Sequence, residues 1–252
     1  MTGPRPLVRI AHAYGNRREA LERALAADVD MIELDMWFRA GDIEVRHERR
    51  LSFLPLLYDR RLPTHSIGSY AIRVWRYFVR PDVHPLKLDD VLELVSGKKR
   101  LLLDVKGDYG PQDVEHYVET LLRLLRKHEA EGWVTVCGQF YAPLNALRRA
   151  GAPVEIRYSI EHPVQWEAFL GKMRRHEQLR QVCMAYRFID EEKARILEEN
   201  GVDLYCWTVD DPREAKRLVA EGVDGIISND LEMLADMRNW PRPNDNTPSR
   251  SP

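Results

Sequence analysis

A chain of 252 residues that is 44% apolar and 31% charged is long enough to bury the core of one α/β barrel, and no stretch approaches the roughly 18 to 20 continuous apolar residues of a membrane span. A formal net charge of −2 excludes the global basic footprint of a nucleic-acid-binding domain, so no nucleic-acid partner is expected and any small-molecule partner must be read from a site. Cys137, Cys183 and Cys206 are odd in number and sit in strand-like runs. With no secretory signal pattern over Met1 to Pro6, they predict reduced core thiols in a cytoplasmic protein.

Short β-type runs alternate with helical patterns, which predicts a parallel sheet of βα units. Strands are expected near Leu7 to Ala13, Met31 to Phe38, Arg100 to Lys106, Trp133 to Gly138, Val154 to Ile160, Gln181 to Phe188, Leu204 to Val209 and Gly225 to Ser228. Arg18 to Ala27, Asp113 to His128 and Glu191 to Asn200 carry apolar residues at helical spacing and read as outer helices. Asn200-Gly201 and Glu221-Gly222 supply the left-handed residue that stops a helix before the next strand. Eight such units predict a (β/α)8 TIM barrel over residues 1–240.

Two regions break the rhythm. After Ala40-Gly41, Ile43, Val45 and His47 alternate with polar neighbours and predict a short antiparallel excursion beyond the second strand. An insertion of about residues 48–86 follows, rich in aromatics and prolines, which reads either as a cover over the mouth or as a mini-core of its own. Residues 241–252 have the composition of a disordered tail.

Chemistry concentrates at strand ends. Glu33 and Asp35 are two apart and share the inward face of the second strand, and Asp104 and Lys106 do the same on the third. Three carboxylates meeting at a barrel mouth repel one another and are costly to desolvate unless a cation joins them. Hard oxygen ligands without Cys or His favour Mg²⁺ or Ca²⁺. His12 closes the first strand and His47 ends the excursion, so both histidines are expected beside the acids, where barrel enzymes keep their catalytic groups.

The ordered set Ile10-Ala11-His12, Ile32-Glu33-Leu34-Asp35, His47-Glu48, Leu103-Asp104-Val105-Lys106, Trp207-Thr208-Val209-Asp210 and Gly222 to Asn229 resembles the motifs of the glycerophosphodiester phosphodiesterase family, of the phospholipase C-like phosphodiesterase superfamily. The resemblance implies hydrolysis of glycerophosphodiesters to sn-glycerol 3-phosphate and an alcohol. It implies His12 and His47 as the acid and base pair, and Glu33, Asp35 and Asp104 as ligands of a divalent cation. Lys106 and Asn229 are implied as phosphate or substrate contacts, with Tyr205 and Trp207 lining the substrate pocket. Residues 108 to 200 match only in element order.

Two departures stand out. The family usually follows its first histidine with Arg-Gly, whereas this chain reads Ala13-Tyr14, and the third acid is Asp104 where most of the family has Glu. These features, with Tyr205-Cys206-Trp207, resemble the sphingomyelinase D and phospholipase D-like branch. That resemblance implies action on a lysophospholipid or sphingolipid, with the nucleophile either water or a substrate hydroxyl that closes a cyclic phosphate. Loss of the arginine also leaves open a barrel that binds phosphodiesters without cleaving them.

Overall fold

The computed structural model describes residues 6–51, 56–60, 71–81, 83–175 and 179–240. The tail read as disordered, 241–252, lies outside the described residues, as do parts of the insertion, including Phe53 and Tyr70.

Eight parallel strands close on themselves: β1 (Val8–Ala11), β2 (Met31–Arg39), β9 (Arg100–Val105), β10 (Val134–Gly138), β11 (Glu155–Ile160), β12 (Gln181–Ala185), β13 (Asp203–Trp207) and β14 (Gly225–Ser228). The last returns to the first, with Val8 opposite Gly225 and Ala11 opposite Ser228, while Ile10 pairs with Met31 of β2. This is the (β/α)8 barrel expected from the sequence. Where the expectation ran past a strand the chain turns early: Tyr186–Phe188 is a 3-10 turn, and Val209 follows the end of β13.

Each helix covers the barrel because its apolar positions recur at helical spacing. In α3 (Pro111–Lys127), started by a proline whose missing N–H would be unsatisfied in any case, Val114, Tyr117, Val118, Leu121, Leu124 and Leu125 are buried. Burying a side chain of this kind contributes about 1.5–3 kcal/mol, so the inner face outweighs the charged outer one. Gly201 and Gly222 hold φ of +62° and +87° just past their helices, the conformation for which glycine carries no Cβ penalty.

Strand alternation sorts the interior into layers. Residues of the middle layer, including Ile10, Met31, Leu102, Cys137, Cys183, Tyr205 and Ile227, pack as one buried cluster. Beneath it the guanidinium of buried Arg157 lies 3.4 Å from the centre of the Tyr205 ring. Gly225 faces the same ring closely: a Cβ there would stand 2.6 Å from a Tyr205 ring carbon.

The excursion after β2 is β3 (Asp42–Val45), antiparallel to β2, and β8 (Leu86–Lys87) pairs with β3 in turn before α2 (Leu88–Val95) begins. Between them the insertion builds a second sheet from β4 (Arg49–Arg50), β5 (Leu57–Asp59), β6 (Ile72–Val74) and β7 (Tyr77–Val79), in the order β4-β5-β7-β6. At its root, buried Glu48 pairs with Arg80 at 3.4 Å and with Arg17 at 3.8 Å. No helix among the described residues is long and apolar enough to cross a membrane.

Candidate active site

At the carboxyl ends of the strands a cavity of about 280 Å³ is lined by His12, Glu33, Asp35, His47, Asp104, Lys106 and Trp207, joined by Gln139, Ser159 and Glu161. Seven of the nine residues singled out in the sequence therefore share one pocket. Tyr205 and Asn229 are not among the residues lining it. Tyr205 is two residues before Trp207 on the same strand face, which places it one layer lower, buried above Arg157.

The three acids converge. One carboxylate oxygen from each of Glu33, Asp35 and Asp104 lies within 4.8 Å of the others. Burial and the neighbouring charges of Asp35 and Asp104 push Glu33 well above the usual carboxylate range. Burial also raises Asp104, against the pull of Lys106. Burial alone would raise Asp35 too, but Lys106, His47 and Asn16 together hold it below its ordinary value. Lys106 stands between two of the acids, its Nζ 2.8 Å from Asp35 Oδ1 and in contact with Asp104 Oδ2. Those acids outweigh burial and raise its pKa well above the ordinary lysine value.

One lysine does not satisfy three carboxyls, two of them buried and Asp104 half-buried. Asp104 Oδ1 is buried without a hydrogen-bond partner among the described residues, and an orphaned carboxylate oxygen beside two further acids is the donor a cation would complete. The residues present fit a hard divalent ion, with Glu33, Asp35 and Asp104 to hold it.

The groups around the acids fix their orientation. Asn16 Nδ2 donates to Asp35 Oδ2 at 2.6 Å, and the Asp35 amide donates back to Asn16 Oδ1 at 2.8 Å. Ala13, at the position where the family usually has arginine, adopts φ +60° and donates its amide to Glu33 Oε2 at 2.6 Å.

The two histidines are held in different ways. His12 Nδ1 meets Asn229 Oδ1 at 2.8 Å, while Asn229 donates Nδ2 to Asp210 Oδ2 at 2.7 Å. With its amide nitrogen committed to a carboxylate, Asn229 presents oxygen to His12, so Nδ1 carries the proton and Nε2 is left as the acceptor. Burial, with Lys106 and His47 nearby, lowers the His12 pKa despite the hydrogen bond to Asn229. His47 Nδ1 instead meets Asp59 Oδ2 at 2.8 Å, and that bond, opposed by burial and aided by Asp35, raises its pKa to about 9. Near neutral pH one ring is neutral and the other cationic.

Asn229 was expected on the substrate, but both ends of its amide are engaged by His12 and Asp210. Sequence reading assigned no role to Asp59, Asn16 or Asp210. Asp210 lies inside a quoted motif and Asn16 four residues past His12, whereas no local pattern singles out Asp59. Gln139 and Glu161, joined by a 2.7 Å hydrogen bond, continue the inward alternation of Cys137 and Ser159 past the strand ends.

A closed βα barrel whose mouth sets a carboxylate cluster beside one neutral and one cationic imidazole has the layout of a barrel-class phosphodiesterase. Comparison with known proteins narrows the class. Residues 164–233 match the model of the glycerophosphoryl diester phosphodiesterase family. A glycerophosphodiester phosphodiesterase of Caldanaerobacter subterraneus is 24% identical over 229 residues, covering 88% of this chain and 91% of that one. Glycerophosphodiester phosphodiesterase GDPD4 of Arabidopsis thaliana is 24% identical over 240 residues, covering 88% of this chain and 68% of the plant protein. The fold matches that of an Oleispira antarctica phosphodiesterase with a TM-score of 0.65 at 14% identity, over 92% of this chain and 96% of that one. In these matches the chain is similar to the glycerophosphodiester phosphodiesterase family.

Proposed function

We propose that this chain hydrolyses glycerophosphodiesters to sn-glycerol 3-phosphate and an alcohol, with His12 as base, His47 as acid and a divalent cation, Mg²⁺ or Ca²⁺, on Glu33, Asp35 and Asp104. The observation that carries the reading is the pair of unlike histidines beside the acid cluster, because cleaving a phosphodiester by water needs one group to take a proton and another to give one. The structure of the Oleispira antarctica relative holds the product sn-glycerol-3-phosphate, which favours the same product here.

When bound, the cation would withdraw charge from a non-bridging phosphate oxygen. Lys106 binds the phosphate from the same side, its ammonium fixed by Asp35 and Asp104. A water attacks phosphorus and passes its proton to His12 Nε2. The bond from phosphorus to the alcohol oxygen breaks, and His47 Nε2 gives that oxygen its proton. Asn229 and Asp59 hold the two rings in the required states. Trp207 walls the cavity on the side of β13. A cytoplasmic location is part of the proposal, favoured by three buried free cysteines.

The test is a panel of glycerophosphocholine, glycerophosphoethanolamine and lysophosphatidylcholine assayed with Mg²⁺, Ca²⁺, Mn²⁺ and chelator, with products followed by phosphorus NMR. Cation-dependent release of glycerol phosphate from the first two is expected. Preferred turnover of lysophosphatidylcholine, a cyclic phosphate product, or binding without turnover would each replace the proposal with one of the rival readings.

A further inference from the structure

The second sheet inverts the usual rule for a sheet lying on a protein surface. Its register sets Tyr58 opposite Val79, Ile72 opposite Val79 and Val74 opposite Tyr77, so these five side chains share one face. The opposite face carries Leu57 and Asp59, both buried, with Asp59 bonded to His47. It is therefore the outward face that is apolar. Leu51, Leu56, Tyr58, Val74, Tyr77 and Val79 line a shallow groove of about 270 Å³ on it.

At the tip of the β6–β7 hairpin Trp75 is 79% exposed, and Val74 beside it is 53% exposed. A contiguous exposed apolar patch of this kind marks a contact surface. Charge identifies the partner. From Arg49 to Pro81 the sequence has seven arginines and a single acid, Asp59, although the whole chain is net negative. That acid is bonded to His47, and among these seven arginines Arg50 pairs with Glu44 and Arg80 with Glu48. Arg49, Arg60, Arg73 and Arg76 are exposed around the patch, with Arg76 over the Trp75 and Tyr77 rings at 4.8 and 5.4 Å.

We propose that this face docks the protein on an anionic phospholipid surface, with Trp75 and Val74 entering the headgroup boundary and the four arginines meeting lipid phosphates. Tryptophan and arginine around an aliphatic patch are the composition that partitions at that boundary, and each cation near an anionic leaflet adds to the attraction. The proposed association is peripheral, made by this face alone. The sheet is tied to the catalytic mouth through Asp59 on its opposite face. The proposal is independent of which phosphodiester is cleaved.

Co-sedimentation with vesicles of phosphatidylcholine alone, and with about one-third phosphatidylserine, tests it at low and moderate salt. Binding to the anionic vesicles and little to the neutral ones is expected, weakening with salt. The pair Val74→Ser and Trp75→Ala, and separately Arg73→Glu with Arg76→Glu, should each reduce anionic-vesicle binding by about tenfold or more. Melting temperature and turnover of soluble glycerophosphocholine should stay unchanged. Absence of binding by the unaltered chain overturns the proposal. So does a concentration-dependent dimer, seen by sedimentation, that the Val74→Ser and Trp75→Ala pair abolishes, because the face then joins two copies.

Discussion

Twelve residues apart in sequence, His47 and Asp59 meet at 2.8 Å, and this bond makes the proposed acid a cation. The folded His47 pKa of about 9 lies above the ordinary 6.5. The stabilisation from the pair is complete below about 6.5 and is lost as pH rises through about 9. Activity should therefore rise on the acid side as His12 loses its proton, below the usual histidine pKa, and fall as pH passes about 9. Asp59→Asn should move the falling limb toward neutrality. A pH–rate profile of kcat/KM for both forms checks this, and an unmoved limb removes Asp59 from the account.

His12→Ala should lower kcat by about 10²- to 10⁴-fold, the usual worth of a positioned general base. Asn229→Ala should cost less, because the ring remains and only its tautomer and orientation are freed. Steady-state kinetics on the two variants decide the matter. Full activity in His12→Ala would refute the base assignment.

Asn16 touches no substrate in the proposed reaction, yet it grips both the carboxylate and the amide of Asp35. Asn16→Ala is expected to weaken cation affinity by about 10- to 100-fold, as loss of a group supporting a metal ligand commonly does. Titrating activity against cation concentration should show the half-maximal point displaced, with kcat largely recovered at saturation.

Cation binding should also be visible without turnover. An ion at about 100 times its Kd stabilises a folded state by about 2.7 kcal/mol, so the melting temperature should rise on adding Mg²⁺ or Ca²⁺ and drop back with chelator. In Asp104→Asn the rise should shrink, because the orphaned oxygen becomes part of a neutral amide. A melting temperature indifferent to every divalent cation would count against the site.

Gly225→Ala tests the layer beneath the site. Its Cβ would stand 2.6 Å from the Tyr205 ring, and that ring is already pressed by Arg157. Overpacking of this kind costs about 1–3 kcal/mol. Urea denaturation should show a lower midpoint with an unchanged slope.

The barrel was legible because period-2 alternation is local: Glu33 with Asp35, and Asp104 with Lys106, point inward whatever the rest of the chain does, and the register of β2 against β9 then sets Asp35 opposite Asp104. The histidines were legible as strand-end residues. Long-range partners were not. Nothing near Asp59 announces that a second sheet will fold it back onto His47, and nothing near Asn229 says that Asp210 will turn its amide toward His12. Tyr205 shows the limit of a motif: adjacency to Trp207 suggested a shared role, but a two-residue step along an inward-facing strand changes the layer.

Arg157, its guanidinium 3.4 Å from the centre of the Tyr205 ring, gives the cylinder a bottom. With the packed residues above it, that stopper fills the axis below the cavity, so in the proposed reaction ester, water and products would pass at the rim. Whatever sits against the rim therefore governs traffic in both directions.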